Sequence, residues 1–524
     1  MLSSAGSRLP DEALVCILRF LNLKDRLQAM YVSQRWKFAA LAPAAWSSVD
    51  LRGLSNCDPD LLRTLLTKSY RAPLDIFCSS DECFPLQVIE TLCTEISRIE
   101  HLRLDAVTHW NDTRAISIFG QPAPLLKTFI YAPSSWYEKS NVAVLPSIMW
   151  PGAGSKIRRL ELGAFSLTTA DSPRPILTLR TFAGILVPEL SDARNIFQYF
   201  PNIVSLKLHL CATACVSMLP QGSYPSSLQH LELRCVEGPI EWAGTLEQLP
   251  FSLKVLNIWS VRTIRPCLDL MERLSSGQSW WLNGIYESSM DGKELYIQLG
   301  CDAAALHFRL VYGYAQNCDL FDQLGMALED KHHLTRLEMY EDQLYTLIQT
   351  PTKLSSLLHL IVRCSYMETR DSSANKIEIV RPTTKDGSGV ESKKPGSLIV
   401  APRLETLTVH IFWDWNPQEG VHWFARCLHR QLPIWVKFDA DRLKAVSLIG
   451  PGVQAWAGQY SSHRLRRIAE DIFVKEESDG EPVELNERLG DEDGDDEADD
   501  SDEEFIYERL STVDEGKEST QDPE

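Results

Sequence analysis

Histidines, cysteines and clustered carboxylates are the residues here that could do covalent or metal chemistry, and their spacing supports neither. Thirteen cysteines occur without one CxxC pair; Cys78 and Cys83, and Cys211 and Cys215, are the close pairs, and no histidine stands at zinc-site spacing from them. A cysteine nucleophile needs an activating neighbour and exposure, and none of the thirteen announces either. His332-His333 precedes an apolar run and reads as a solvated turn. No GxxxxGK[ST], GxGxxG after a strand, HExxH or GxSxG occurs along the chain. The expectation is a protein that binds without catalysing, with no cofactor, no metal and no catalytic residue.

The chemistry left is apolar recognition, and it is concentrated at the N-terminus. Residues 9–46 read LPDEALVCILRFLNLKDRLQAMYVSQRWKFAALAPAAW. Pro10 sits where a missing N–H costs least, at a helix start followed by Asp11 and Glu12. Leu14, Ile17, Leu18 and Leu21 recur at helical spacing. A second helix with Leu27, Tyr31 and Val32 is expected to end near Trp36, and a short third one leads to Trp46. About 40 residues is close to the size below which a chain rarely folds alone, yet apolar side chains occupy more than one face of each helix. A second protein is needed to cover the surplus.

This segment resembles the F-box, a three-helix module that docks on the Skp1-type adaptor of SCF ubiquitin ligases. The resemblance rests on Leu9-Pro10 with Glu12, on Ile17, Leu18 and Leu21, on Leu23 with Asp25, on Val32-Ser33 followed by Arg35-Trp36, and on Trp46. Arg26 departs from it, since the family usually has an aliphatic residue there; one contact is expected to be weaker for it. The resemblance covers under a tenth of the chain. It implies an adaptor face made by Leu9, Pro10, Ile17, Leu18, Leu21, Leu23, Val32, Ser33 and Trp36, with Trp46 wedged between the box and the body of the chain. It also implies a cullin as an indirect partner.

Charge divides the chain unevenly. The net charge is −19, but residues 476–524 hold 23 acids against Arg488, Arg509 and Lys517, a local sum of −20. Residues 1–475 therefore hold 48 acids and 49 bases, or +1. A neutral body argues against a nucleic-acid surface. No apolar run approaches membrane-spanning length. An odd cysteine count, no signal peptide and Cys16, Cys93 and Cys235 on apolar faces suit reduced thiols in the cytoplasm or nucleus.

Beyond the N-terminus one spacing keeps returning: apolar, two residues, apolar, one residue, apolar. Examples are Ile99-Leu102-Leu104, Ile157-Leu160-Leu162, Ile203-Leu206-Leu208, Leu228-Leu231-Leu233, Leu253-Leu256-Ile258, Leu334-Leu337-Met339, Leu357-Leu360-Val362 and Leu404-Leu407-Val409. Starts at 179, 203, 228 and 253 lie 24, 25 and 25 residues apart. Helices expected at 58–69, 86–96 and 191–200 would cover such strands. The pattern is similar to leucine-rich repeats following F-boxes in fungal and plant proteins. The Asn that usually closes the motif is missing, with Val107, Phe165, Cys211, Val236 and Val261 in its place, so irregular repeats are expected.

The organisation expected is α/β: an F-box at 1–50, an irregular leucine-rich-repeat solenoid at 51–470 and a disordered acidic tail at 476–524. Residues 366–400, rich in Gly, Ser, Lys and Asp, read as a flexible loop. Between Ile258 and Leu334 no clean repeat appears, and Trp280-Trp281, 295–299 and 306–311 suggest an inserted element. The aromatic run 411–438, with Trp413, Trp415 and Trp423, is a candidate surface for an unknown protein substrate or else a terminal cap. The functional expectation is a substrate-recognition subunit of an SCF-type ligase. The rival is an adaptor-independent repeat scaffold.

Overall fold

Capping residues cut the N-terminal apolar run into three helices. In the computed structural model, residues 9–484 are described except for 52–57, 81–83, 107–114, 134–141, 152–155, 168–172, 188–190, 221–223, 236–241, 313–323, 348–351, 370–377, 380–398, 414–435, 454–465, 476–482 and scattered single or paired positions. Pro10 precedes α1 (Asp11–Phe20), whose first turn carries Asp11 and Glu12 at the positive end of the helix dipole. Asn22 caps α2 (Leu23–Ala29) by accepting from the Asp25 amide at 2.8 Å. Ser33 caps α3 (Gln34–Leu41) by accepting from the Trp36 amide at 3.3 Å. The second helix therefore stops at Ala29, short of the expected Trp36, which belongs to α3. A 3-10 turn, Pro43–Trp46, leads into β1 (Ser48–Asp50).

Helices then cover strands. α4 (Pro59–Lys68) starts where Asp58 accepts from the Asp60 and Leu61 amides, and it buries Leu62, Leu65 and Leu66. α5 (Leu86–Glu95) turns its Val88, Ile89 and Leu92 inward. Between and after them run β2 (Leu74–Ser80), β3 (Ile99–Ala106) and β4 (Thr128–Pro133). The helix expected over 191–200 shrinks to Ile196–Tyr199, with turns on either side.

Most strands join one sheet of nineteen strands. From β1 through Val255–Trp259 the principal neighbours are parallel and follow chain order. The register keeps one apolar position in line: Val49, Ile76, Leu102, Phe129, Leu160, Phe182, Leu206, Leu231 and Leu256 are successive partners. A one-residue slip would turn the whole row to the opposite face, so the shared spacing fixes the pairing. Serines add a second tie at the same period, with Ser227 Oγ donating to Ile203 O and Ser252 Oγ to Leu228 O, both at 2.8 Å.

The inserted element between 258 and 334 reverses the order without breaking the sheet. Leu306–Tyr312 pairs parallel with Val255–Trp259, then antiparallel with Gly292–Cys301, which pairs antiparallel with Trp280–Ser289. Trp280–Ser289 then pairs parallel with Leu334–Tyr340. The apolar row continues through Phe308, Leu299 and Leu282 to Leu337, Leu360, Leu407, Val446 and Ile472. Helix Arg265–Ser275, which the repeat spacing does not announce, buries Cys267, Leu268, Leu270, Met271 and Leu274 beside this element. His333 is more than a solvated turn: its Nδ1 hydrogen-bonds Glu272 of that helix.

In the stretch 366–400 the described parts are strand ends and a small antiparallel pairing of Glu368–Thr369 with Glu378–Ile379, so it is not a loop throughout. Residues 380–398 and the tail from 485 lie outside the described residues.

Candidate functional site

The N-terminal helices place bulky apolar side chains where a self-contained module would not. On α3 the small residues Ala39 and Ala40 face the core, while Phe38 and Leu41 are 68% and 54% exposed. On α1, Leu14 and Leu18 are fully buried, and Phe20, 86% exposed, shares the outer side with Ile17. The α2–α3 connection exposes Tyr31 at 90% and Val32 at 68%. Of fourteen exposed large hydrophobic residues among those described, eight fall between Leu9 and Leu41. Such a concentration within one short segment marks an interaction surface.

This segment is an F-box-like domain. A comparison with protein families matches residues 7–52 to the F-box-like family. The match ends just beyond β1, so the domain closes as the sheet begins.

The structure sorts the expected adaptor residues into two groups. Leu9, Pro10, Ile17, Val32 and Ser33 are exposed. Leu21, Leu23 and Trp36 are partly buried, packed against the domain's own core. Leu18 is fully buried and offers no outward surface: its place on α1, one turn after Leu14, turns it inward to hold the domain together. Ser33 serves as the α3 cap. Phe20, Leu27, Tyr31, Phe38 and Leu41 join the exposed set, although none of them is among the adaptor residues expected from the sequence. For Phe38 and Leu41 the signal was present in α3, where they flank the Ala39-Ala40 pair. Cys16, expected on an apolar face, is exposed.

The surface is held to the sheet by charged and aromatic groups. Arg26, expected to weaken a contact, is an internal brace. It is 3% exposed, and its guanidinium donates to Leu18 O (2.9 Å), Leu21 O (2.8 Å) and Arg19 O (3.2 Å) at the end of α1 and to Ser48 O (3.0 Å) at β1. Burial lowers its pKa from the ordinary arginine value. Arg19 forms an ion pair with Asp75 on β2. Trp46 is the wedge that was expected: it is buried, its Nε1 donates to Ala40 O at 2.6 Å, and the Arg26 and Lys68 cations stand 5.2 and 4.9 Å from its ring. Arg35 ties the N-terminal stretch to α3 through Asp11 (2.7 Å) and Leu9 O.

Asp75, Glu100 and His101 lie close enough together to suggest a metal site. Both carboxylates already have cations, Arg19 for Asp75 and Lys127 at 2.6 Å for Glu100, and the Lys127 hydrogen bond holds Glu100 below the usual carboxylate range. The cluster reads as charge pairing. On the substrate side, Trp413 ends strand Thr406–Trp413, while Trp415 and Trp423 lie outside the described residues.

Proposed function

We propose that this chain is the substrate-recognition subunit of an SCF-type ubiquitin ligase, docking a Skp1-type adaptor through its N-terminal helices. The observation that carries the reading is the inverted α3, with alanines inward and Phe38 and Leu41 outward. Burying a side chain of that size contributes about 1.5–3 kcal/mol gross. Several such anchors offset the roughly 4–15 kcal/mol lost on association. A cullin would be reached only through the adaptor. The chain itself would bind without catalysing, the ligase chemistry residing in its partners.

The sheet would present the target-binding surface as irregular leucine-rich repeats. The support is the 24–25-residue spacing together with the in-register apolar row from Val49 to Leu256. A cytoplasmic or nuclear setting goes with this reading, supported by an odd number of cysteines with no CxxC pair. One observation favours the rival scaffold reading: Arg26 and Arg19 fasten the helices to β1 and β2 as a cap would be fastened. A cap, however, would turn its bulky residues toward the sheet.

Co-purification from lysate separates the two. The native chain should bring down adaptor and cullin, and Leu9→Ala with Pro10→Ala should lose both while the melting transition of the sheet is kept. Retained adaptor in that double variant, or no adaptor with the native chain, would remove the ligase reading.

A further inference from the structure

A depression of about 420 Å³, on the edge of the sheet where its strands begin, is lined by Lys127, Lys156, Arg158 and Thr178. Strand pairing builds it. Lys127 stands two positions before Phe129, and Arg158 two before Leu160, the partner of Phe129. The Arg158 amide donates to Lys127 O at 2.7 Å, so the two side chains leave neighbouring segments at one level, about 4.8 Å apart at the backbone. Lys156 comes from the segment leading into strand Arg159–Leu167, and Thr178 from the one leading into Thr181–Leu186. Lys156 and Arg158 are exposed.

The cluster is not neutralised by its surroundings. At the same level of β3 stands Glu100, whose carboxylate lies 2.6 Å from the Lys127 ammonium. On the other side the Arg180 amide donates to Arg158 O, and the Arg180 guanidinium donates to Asn202 O. Glu161 is taken by the adjacent Arg159. Among the described residues no carboxylate pairs with Lys156 or Arg158. The sequence shows the same bias. Segments 113–137, 139–160 and 172–188, which lead into and along these strands, hold eight Lys and Arg and not one Asp or Glu, in a chain with 71 acids. Lys127, Lys156 and Arg158 against Glu100 leave +2 at the pocket.

An uncompensated +2 in a concave site favours an anion. A carboxylate brings one charge and two oxygens, and would leave one cation unmatched. A phosphate monoester brings about −1.5 to −2 and three terminal oxygens. Arg158 can meet two of those oxygens with its fork, and the lysines act as point charges beside it. The depression exceeds a single phosphate group, so it has room for the atoms that carry one.

We propose that this pocket binds the phosphate group of a phosphorylated ligand, with Arg158 as the fork and Lys156 and Lys127 flanking it. Lys127 is then shared between Glu100 and the phosphate. Binding of a phosphate monoester strengthens as pH rises through about 6, where the group gains its second charge.

Isothermal titration of the full-length chain at constant ionic strength tests this, with pyrophosphate, a phosphoserine peptide and the same peptide carrying glutamate instead as the probes. At least one phosphorylated probe should bind with a Kd below about 1 mM, and the glutamate peptide at least tenfold more weakly than its phosphoserine form. The tighter of the two phosphorylated probes identifies the source, a small phosphorylated molecule or a phosphorylated protein. Lys156→Gln with Arg158→Gln should weaken binding at least tenfold. Arg63→Gln, which removes an exposed cation on α4, should leave it unchanged. Without ligand the double variant should melt no lower than the native chain, since it loses only exposed like charges; should it melt early, Arg158→Gln alone carries the comparison. Equal binding by native and variant chains would overturn the pocket as the site. Equal binding of the phosphoserine and glutamate peptides, or no binding by either phosphorylated probe, would overturn phosphate as the ligand.

Discussion

At the scale of single residues, two charged side chains carry consequences the sequence understates. Arg26 was legible only as a departure from an aliphatic position, because its partners are backbone carbonyls that have no residue type. Its guanidinium donates to Leu18 O, Arg19 O, Leu21 O and Ser48 O, of which Leu18 O also accepts from the Leu21 amide. Arg26→Leu should restore the aliphatic side chain yet lower stability by about 2–4 kcal/mol, since unpaired buried carbonyls outweigh the added apolar contact. Chemical denaturation of both chains checks this. Glu232 makes a second case. His209, whose Nε2 lies 3.8 Å away, and the Lys207 ammonium at 2.9 Å hold its pKa at about 2, against the opposing effect of burial. A carboxylate depressed in the folded state stabilises above its ordinary pKa and loses that contribution as pH falls toward 2. Glu232→Gln should therefore destabilise the chain at pH 6, and the difference from the native melting temperature should shrink steadily between pH 4.5 and 2.

At the scale of elements, the helices and strands were legible wherever an apolar period met a capping residue. Asp58 before Pro59 located α4 within a residue, and the Leu-x-x-Leu-x-Leu runs located the parallel strands. The second helix was read too long because Tyr31 and Val32 continue the apolar pattern; Ser33 ends it by capping the next helix, and the apolar pair is left in solvent. Leu18 was read as surface because helical spacing alone does not say which of two apolar stripes faces inward. The alanine pair of α3 settles that for its own helix. Phe38→Asp should abolish adaptor binding with no loss of melting temperature, because the ring contributes little to the chain's own core. Binding isotherms and melts on the same preparation test it.

At the scale of the whole molecule, one apolar row runs from Val49 to Ile472 and makes neighbouring strands depend on each other. Leu206 is fully buried between Phe182 and Leu231, so Leu206→Ala should cost about 3–5 kcal/mol, read as a lowered denaturation midpoint. The reversed element at 280–312 was not legible as topology, since antiparallel and parallel strands share the same alternation. Its strands were visible; their order was not. Arg26, through Ser48 O on β1, and Arg19, through Asp75 on β2, join the N-terminal helices to the first strands, so a partner docked on those helices is held in a fixed relation to the sheet.

Hydrogen–deuterium exchange on the full chain, with and without a purified Skp1-type adaptor, tests the exposed apolar flank most directly. Slowed exchange confined to residues 9–46, with strands from Ile99 onward unchanged, is the expected result. No protection there at saturating adaptor, or protection only on the sheet, would contradict it.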